Sequence, residues 1–94
     1  MPDAKTSYVV EAAYAPDAAD RRGPFRAEHL DRVGKLAREG ALLVAGAFGD
    51  MSASLLVLAV SSEDAARAIV ETDVYWRNGI WTGYTVRPLN RVVP

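Results

Sequence analysis

The 94-residue chain contains no cysteine. Disulfides, thiolate metal sites and a cysteine nucleophile are excluded with it. Histidine is nearly absent too: His29 is the only one. One histidine cannot build the common multi-histidine metal cages, so no metal is expected. No apolar run approaches the roughly 20 residues that span a bilayer. The start, MPDAKTSYVV, has no long apolar stretch behind a basic region, so no signal peptide is expected. An excess of one charge sign is missing as well. Eleven Lys and Arg stand against twelve Asp and Glu, a net charge of -1, and the basic residues are dispersed. Nothing in that balance draws the chain to nucleic acid or to an anionic membrane surface. A cytoplasmic protein is the simplest expectation.

What is present is a globular composition. Half of the residues are hydrophobic, which fits a packed core and not a disordered chain. The length predicts one small domain over residues 1–94. No internal repeat or linker interrupts it.

Residues 1–5 are polar and read as a frayed end. Thr6 to Tyr14, TSYVVEAAY, predicts a first strand with Tyr8, Val10, Ala12 and Tyr14 on one face. APDAADRR, residues 15–22, reads as a polar loop. A helix is expected from Pro24 to Glu39. Pro24 suits its first turn, Phe25, Leu30, Val33, Leu36 and Ala37 recur at helical spacing, and Gly40 fits the residue just past its end. His29 lies four residues before Val33 and shares that stripe. Arg26, three residues earlier, can reach the same end of the face.

Ala41 to Phe48 predicts a second strand, with Gly46 hinting at a bulge or a close backbone approach. GDMSA connects it to a third strand, Ser54 to Val60, which is apolar on both faces. Ser61 and Asp64 form an S-x-x-D capping box. The helix behind it, Ser62 to Thr72, offers Ala65, Ala68, Ile69 and Thr72 to the core. Asp73 to Gly79 reads as irregular or briefly helical. Ile80 to Val93 reads as a last strand or pair of strands, with Pro88 at an edge or a bend.

The order β-α-β-β-α-β is the ferredoxin-like α+β arrangement, with two helices on one face of a four-stranded antiparallel sheet. The opposite face then carries apolar side chains, and an open apolar face of that size is not an ordinary surface. A second copy packed sheet face to sheet face covers it, which predicts a homodimer with a barrel-like core, a dimeric α/β barrel.

His29 is the sharpest chemical feature. It serves either as a core histidine satisfied by one hydrogen bond or as a general acid or base. A catalytic histidine needs a partner that fixes its tautomer. Asp73, Asp31, Glu28 and Asp64 are the carboxylate candidates. Asp73 follows the second helix, and that junction can approach the first helix. Tyr75, Trp76 and Trp81 cluster near it in sequence and suit the walls of a pocket for a small planar ligand; core or dimer contacts are the alternative. Arg26 is a candidate anchor for an anionic group. Ser52 and Ser54 lie in no nucleophile motif.

The chain resembles the YCII-related proteins, small dimeric alpha-beta barrels. The resemblance rests on SYVVEAAY, on R-x-x-H-L (Arg26, His29, Leu30) and on E-G-x-L-L-x-A-G-x-F (Glu39 to Phe48). It continues through S-x-E-x-A (Ser61 to Ala65), D-x-Y (Asp73, Tyr75) and V-x-P-L-N (Val86 to Asn90). It implies a His–Asp active-site pair at His29 and Asp73. It also points to hydroxylated or chlorinated aromatic breakdown products, on which some relatives are expected to act. The leading expectation from such a dyad is a cofactor-independent enzyme of lyase, isomerase or hydrolytic dehalogenation type, acting on a small aromatic or cyclic anion. This chain departs from the family at Asp73-Val74, where Asp-Pro is common, and at Gly46-Ala47, where Gly-Pro is common. Two other readings stand beside the enzyme. One is a non-catalytic dimer that binds a small molecule. The other is a barrel-type monooxygenase whose histidine faces the barrel interior.

Overall fold

A computed structural model describes residues 6–92. The stretch 1–5 read as frayed, and Val93 at the end of the last strand, lie outside the described residues. The elements run β1 (Thr6–Tyr14), α1 (Ala18–Arg21), α2 (Gly23–Arg38), β2 (Leu42–Ala47), β3 (Ala53–Leu58), α3 (Glu63–Glu71), α4 (Val74–Arg77) and β4 (Trp81–Asn90). The four strands form one antiparallel sheet in the order β2-β3-β1-β4, the ferredoxin-like α+β fold. β4 is a single strand on the sheet edge, where Pro88 withholds no ladder donor that a central strand would need.

The helices cover the face that carries Val10 and Ala12 of β1 with Leu56 and Leu58 of β3, all buried. Around them pack Ala66 and Val70 of α3, Val74 and Tyr75 of α4, and Ile80 and Trp81. Two bulges set which side chains reach this face. Leu43 is the extra residue of β2, so Leu42 and Ala45 point the same way although three positions apart. Thr82 does the same in β4, where Ala13 pairs with Gly83 and Tyr14 with Trp81. The slip turns Trp81 inward beside Tyr84. The expected irregularity at Gly46 is therefore at Leu43; Gly46 pairs regularly with Leu55, and nothing lies within 4 Å of where its side chain would start.

Other local departures have simple causes. APDAADRR contains a one-turn helix, α1, buried through Ala18 and fastened by an Asp17–Arg21 ion pair. The cap of α3 is Ser62, whose hydroxyl accepts from the Ala65 amide at 3.1 Å, not Ser61 with Asp64. With that start, Ala66 and Val70 are the buried residues of α3, and Ala68 and Thr72 face out. In α2, Leu30 is 47% exposed, while Phe25, Val33 and Leu36 pack on the core. Gly40 ends that helix in the left-handed region, φ 82°.

The opposite sheet face carries Val9, Leu55 and Val57, with Val44 and Leu89 more exposed beside them. Among the described residues, no helix is long and apolar enough to cross a membrane.

Candidate active site

α2 carries one stripe of side chains, spaced by three or four residues, along a cleft above the sheet. Arg22 at its N-terminal boundary is followed by Arg26, His29, Leu30 and Val33. The floor is Ala45, Gly46 and Ala47 of β2 with Ser54 and Leu56 of β3, and Tyr14 and Tyr75 close the end. Small side chains on β2 leave the space open. Its volume is about 160 Å³, close to that of an engineered cavity of about 150 Å³ that accepts benzene.

His29 is 9% exposed and Asp73 4%. The imidazole Nδ1 stands 3.0 Å from each Asp73 carboxylate oxygen. A lone pair cannot face a carboxylate at that distance, so Nδ1 carries the proton and, in the neutral ring, Nε2 is the base. Nε2 makes no hydrogen bond to a described residue, and the ring lines the cleft.

Asp73 is positioned by its own local chemistry. It caps α4, accepting from the Tyr75 amide at 2.8 Å with the same Oδ1 that faces His29. The one-turn helix that it starts swings Tyr75 inward. The Tyr75 ring lies flat on His29, centroids 3.9 Å apart and planes 7° apart. Trp81 meets both rings edge-on, at 5.4 Å and 5.6 Å. The imidazole is thus held by a carboxylate, a stacked ring and an edge. From the far side, Arg32 Nε lies 3.8 Å from Asp73 Oδ2, and its Nη2 donates to the Ile69 carbonyl and the Thr72 hydroxyl. This ties α2 to the end of α3 just before Asp73.

Burial pushes the Tyr75 phenol above the ordinary tyrosine range, and neighbouring Tyr14 adds to it. The cations Arg22 and Arg26 pull the other way. No group of three His, Cys, Asp or Glu among the described residues could hold a metal.

Of the residues singled out in the sequence, His29, Arg26 and Tyr75 line the cleft, and Asp73 stands directly behind His29. Two aromatic assignments change. Trp76 does not line the cleft; it packs edge-on against Tyr84 at 5.2 Å. Adjacent residues of a helix point about 100° apart, so once Tyr75 turns inward Trp76 turns toward β4. Trp81 supports the cleft from behind and is 2% exposed. Tyr14, Arg22 and Ser54 were not singled out. Arg22 is four residues before Arg26, a helical spacing that marks it. Ser54 is the lone hydroxyl opening an apolar strand, a weak signal, and its meeting with Tyr14 depends on strand register.

Residues 6–90 match the YCII-related domain. The chain belongs to the YCII-related family. No curated protein gives a significant match. Among solved structures, this YCII-related chain is similar to 5-chloro-2-hydroxyhydroquinone dehydrochlorinase (TftG) from Burkholderia phenoliruptrix AC1100, solved with 2,5-dihydroxybenzoquinone. That match has a TM-score of 0.75 and 21% identity over 86% of this chain and 90% of that one. It is also similar to a candidate antibiotic biosynthesis monooxygenase from Nitrosomonas europaea, with a TM-score of 0.60 and 17% identity over 95% and 91%. At these identities the likeness establishes the shared fold.

Proposed function

We propose that this YCII-related protein is a small cofactor-independent enzyme in which His29 moves a proton on a single-ring, anionic substrate and Asp73 orients and charge-stabilises the imidazole. The observation that carries the reading is the His29–Asp73 contact at 3.0 Å behind a ring-sized cleft, with Nε2 left to the cleft side. Arg26, joined by Arg22, supplies positive charge for an anionic group. Tyr75 and the apolar side chains of Leu30, Val33 and Leu56 suit a planar ring.

The step balances with side chains alone. Nε2 takes a proton from a ring carbon or hydroxyl. The electron pair of the broken bond passes into the ring and onto a ring oxygen. Its return either expels a leaving group with its bonding pair, as in loss of halide, or takes the proton back at another carbon, as in isomerisation. Activation of a water for hydrolytic dehalogenation uses the same base. Proton transfer from a positioned imidazole contributes about 10² to 10⁴ in rate. The dehydrochlorinase likeness favours this class, since that relative is named for removing chloride from a hydroxylated ring.

The apolar sheet face supports a homodimer packed face to face. The monooxygenase likeness keeps oxidation as the second reading.

The test uses 2,5-dihydroxybenzoquinone in deuterated water, following loss of its ring C–H signals by NMR. The wild type accelerates exchange, and His29→Asn and Asp73→Asn each lose at least most of the acceleration. Equal exchange by wild type and His29→Asn contradicts the reading. Oxygen consumption that survives in His29→Asn favours the monooxygenase.

A further inference from the structure

Beneath the cleft, three hydrogen-bond donors share two hydrogen bonds. The Trp81 indole N–H donates to Ser54 Oγ at 3.3 Å, and the Ser54 hydroxyl donates to the Tyr14 phenol oxygen at 2.7 Å. Indole is a donor only, so the direction of the first bond is fixed. Ser54 and Tyr14 then hold two O–H protons between them and use one in their mutual bond. One O–H remains. Tyr14 and Ser54 both line the cleft, but Ser54 is 4% exposed and Trp81 2%, whereas Tyr14 is only half-buried. With Ser54 donating to it, Tyr14 holds the spare proton, and no described residue accepts it.

The surroundings select what would. Asp73 is spent on His29 and the Tyr75 amide. No Asp or Glu is among the cleft-lining residues, which include two arginines. A ligand that enters the cleft therefore meets a free O–H at Tyr14, with no carboxylate competing for it. A chain of bonds that feeds donors toward one hydroxyl polarises its proton and strengthens the bond that it gives. The end of the cleft and the α2 wall thus carry opposite capacities, an O–H donor at Tyr14 and a bare nitrogen at His29 Nε2.

We propose that Tyr14 donates a hydrogen bond to an oxygen borne directly on the substrate ring, a carbonyl or an oxyanion, and that Ser54 and Trp81 are positioning residues for that donor. The inference rests on the acid–base reading and names its substrate class: a single ring with at least one ring oxygen able to take up negative charge. When Nε2 removes a proton, the electron pair moves to that oxygen, and a fixed O–H aimed at developing charge stabilises it more than water does. A ring whose only anionic group is a carboxylate meets the arginines but leaves the Tyr14 proton unused.

The experiment titrates two probes into wild type, Tyr14→Phe, Ser54→Ala and His29→Asn. They are 2,5-dihydroxybenzoquinone, which carries ring oxygens, and benzoate, which does not. Tyr14→Phe keeps the ring and its packing, and thermal unfolding verifies that it folds. Loss of one hydrogen bond to a charged oxygen is expected to weaken quinone binding about tenfold or more, with benzoate binding changed less than about twofold. Ser54→Ala displaces the visible absorption band of the bound quinone from its wild-type position, a change that loss of packing alone would not give. Failure of wild type to bind the quinone, unchanged quinone affinity in Tyr14→Phe, or equal loss for both probes overturns the proposal. Deuterium exchange separates the two readings. Unchanged affinity in Tyr14→Phe with exchange abolished in His29→Asn removes the donor and leaves the base; weakened affinity with exchange intact in His29→Asn does the reverse.

Discussion

The rings of His29 and Tyr75 lie stacked, 3.9 Å between centroids and 7° between planes, so the imidazole has one face covered before any ligand arrives. The stack follows from the Asp73 cap. The carboxylate that starts α4 also binds the imidazole, so one side chain sets both the ring and its cover. Tyr75→Ala should therefore destabilise the fold by about 3–5 kcal/mol, as truncations of buried aromatics do. Tyr75→Phe, which keeps the ring, should cost much less. Urea unfolding of both variants checks this.

Alkaline stability should decline through the tyrosines. Burial is the leading cause that raises the Tyr75 and Tyr84 phenols in the folded chain. A group whose folded value lies above its unfolded one holds its proton more tightly in the folded state. The stability that it contributes is complete below the unfolded value, about 10 for tyrosine, and is lost as pH rises through the folded value. Urea midpoints measured between pH 8 and 11.5 should fall at the upper end, and Tyr75→Phe with Tyr84→Phe should flatten that fall.

Ser62→Ala removes the cap of α3 and should cost about 1 kcal/mol, about 4–8 °C in melting temperature for a chain of this size. Ser61→Ala should leave the melting temperature nearly unchanged, because the Ala65 amide is satisfied by Ser62.

The dimer proposed on the open sheet face makes a separate prediction. Size exclusion with light scattering at micromolar concentration should give twice the 10.2 kDa chain mass. Leu55→Asp, which places a charge at the centre of that face, should give the monomer mass. A monomeric wild type would sink the dimer.

The sequence carried the architecture because its strands and long helix have plain signals and stops: the Tyr- and Val-bearing run TSYVVEAAY, the α2 stripe, Gly40. It did not carry the bulges at Leu43 and Thr82, which arise from pairing between strands and decide that Trp81 turns inward. The same limit applies to the site. His29 stood out because it is the only histidine, Asp73 because the junction after the second helix can approach the first, and Tyr75 because it lies near Asp73 in sequence; the family motif D-x-Y agrees with that choice. Tyr14 and Ser54 are 40 residues apart and meet only through the β1–β3 register. Trp76 was assigned by its nearness in sequence to Asp73, and a single helical turn sends it to the other side.

The most direct test of the account is the tautomer of His29, read by ¹⁵N NMR on histidine-labelled protein. The chain has one histidine, so one pair of ring signals reports the site. In the neutral ring the account predicts a protonated Nδ1 and a bare Nε2, with the Nδ1 proton signal displaced in Asp73→Asn. A neutral ring protonated on Nε2 would leave no base at the cleft and would contradict it.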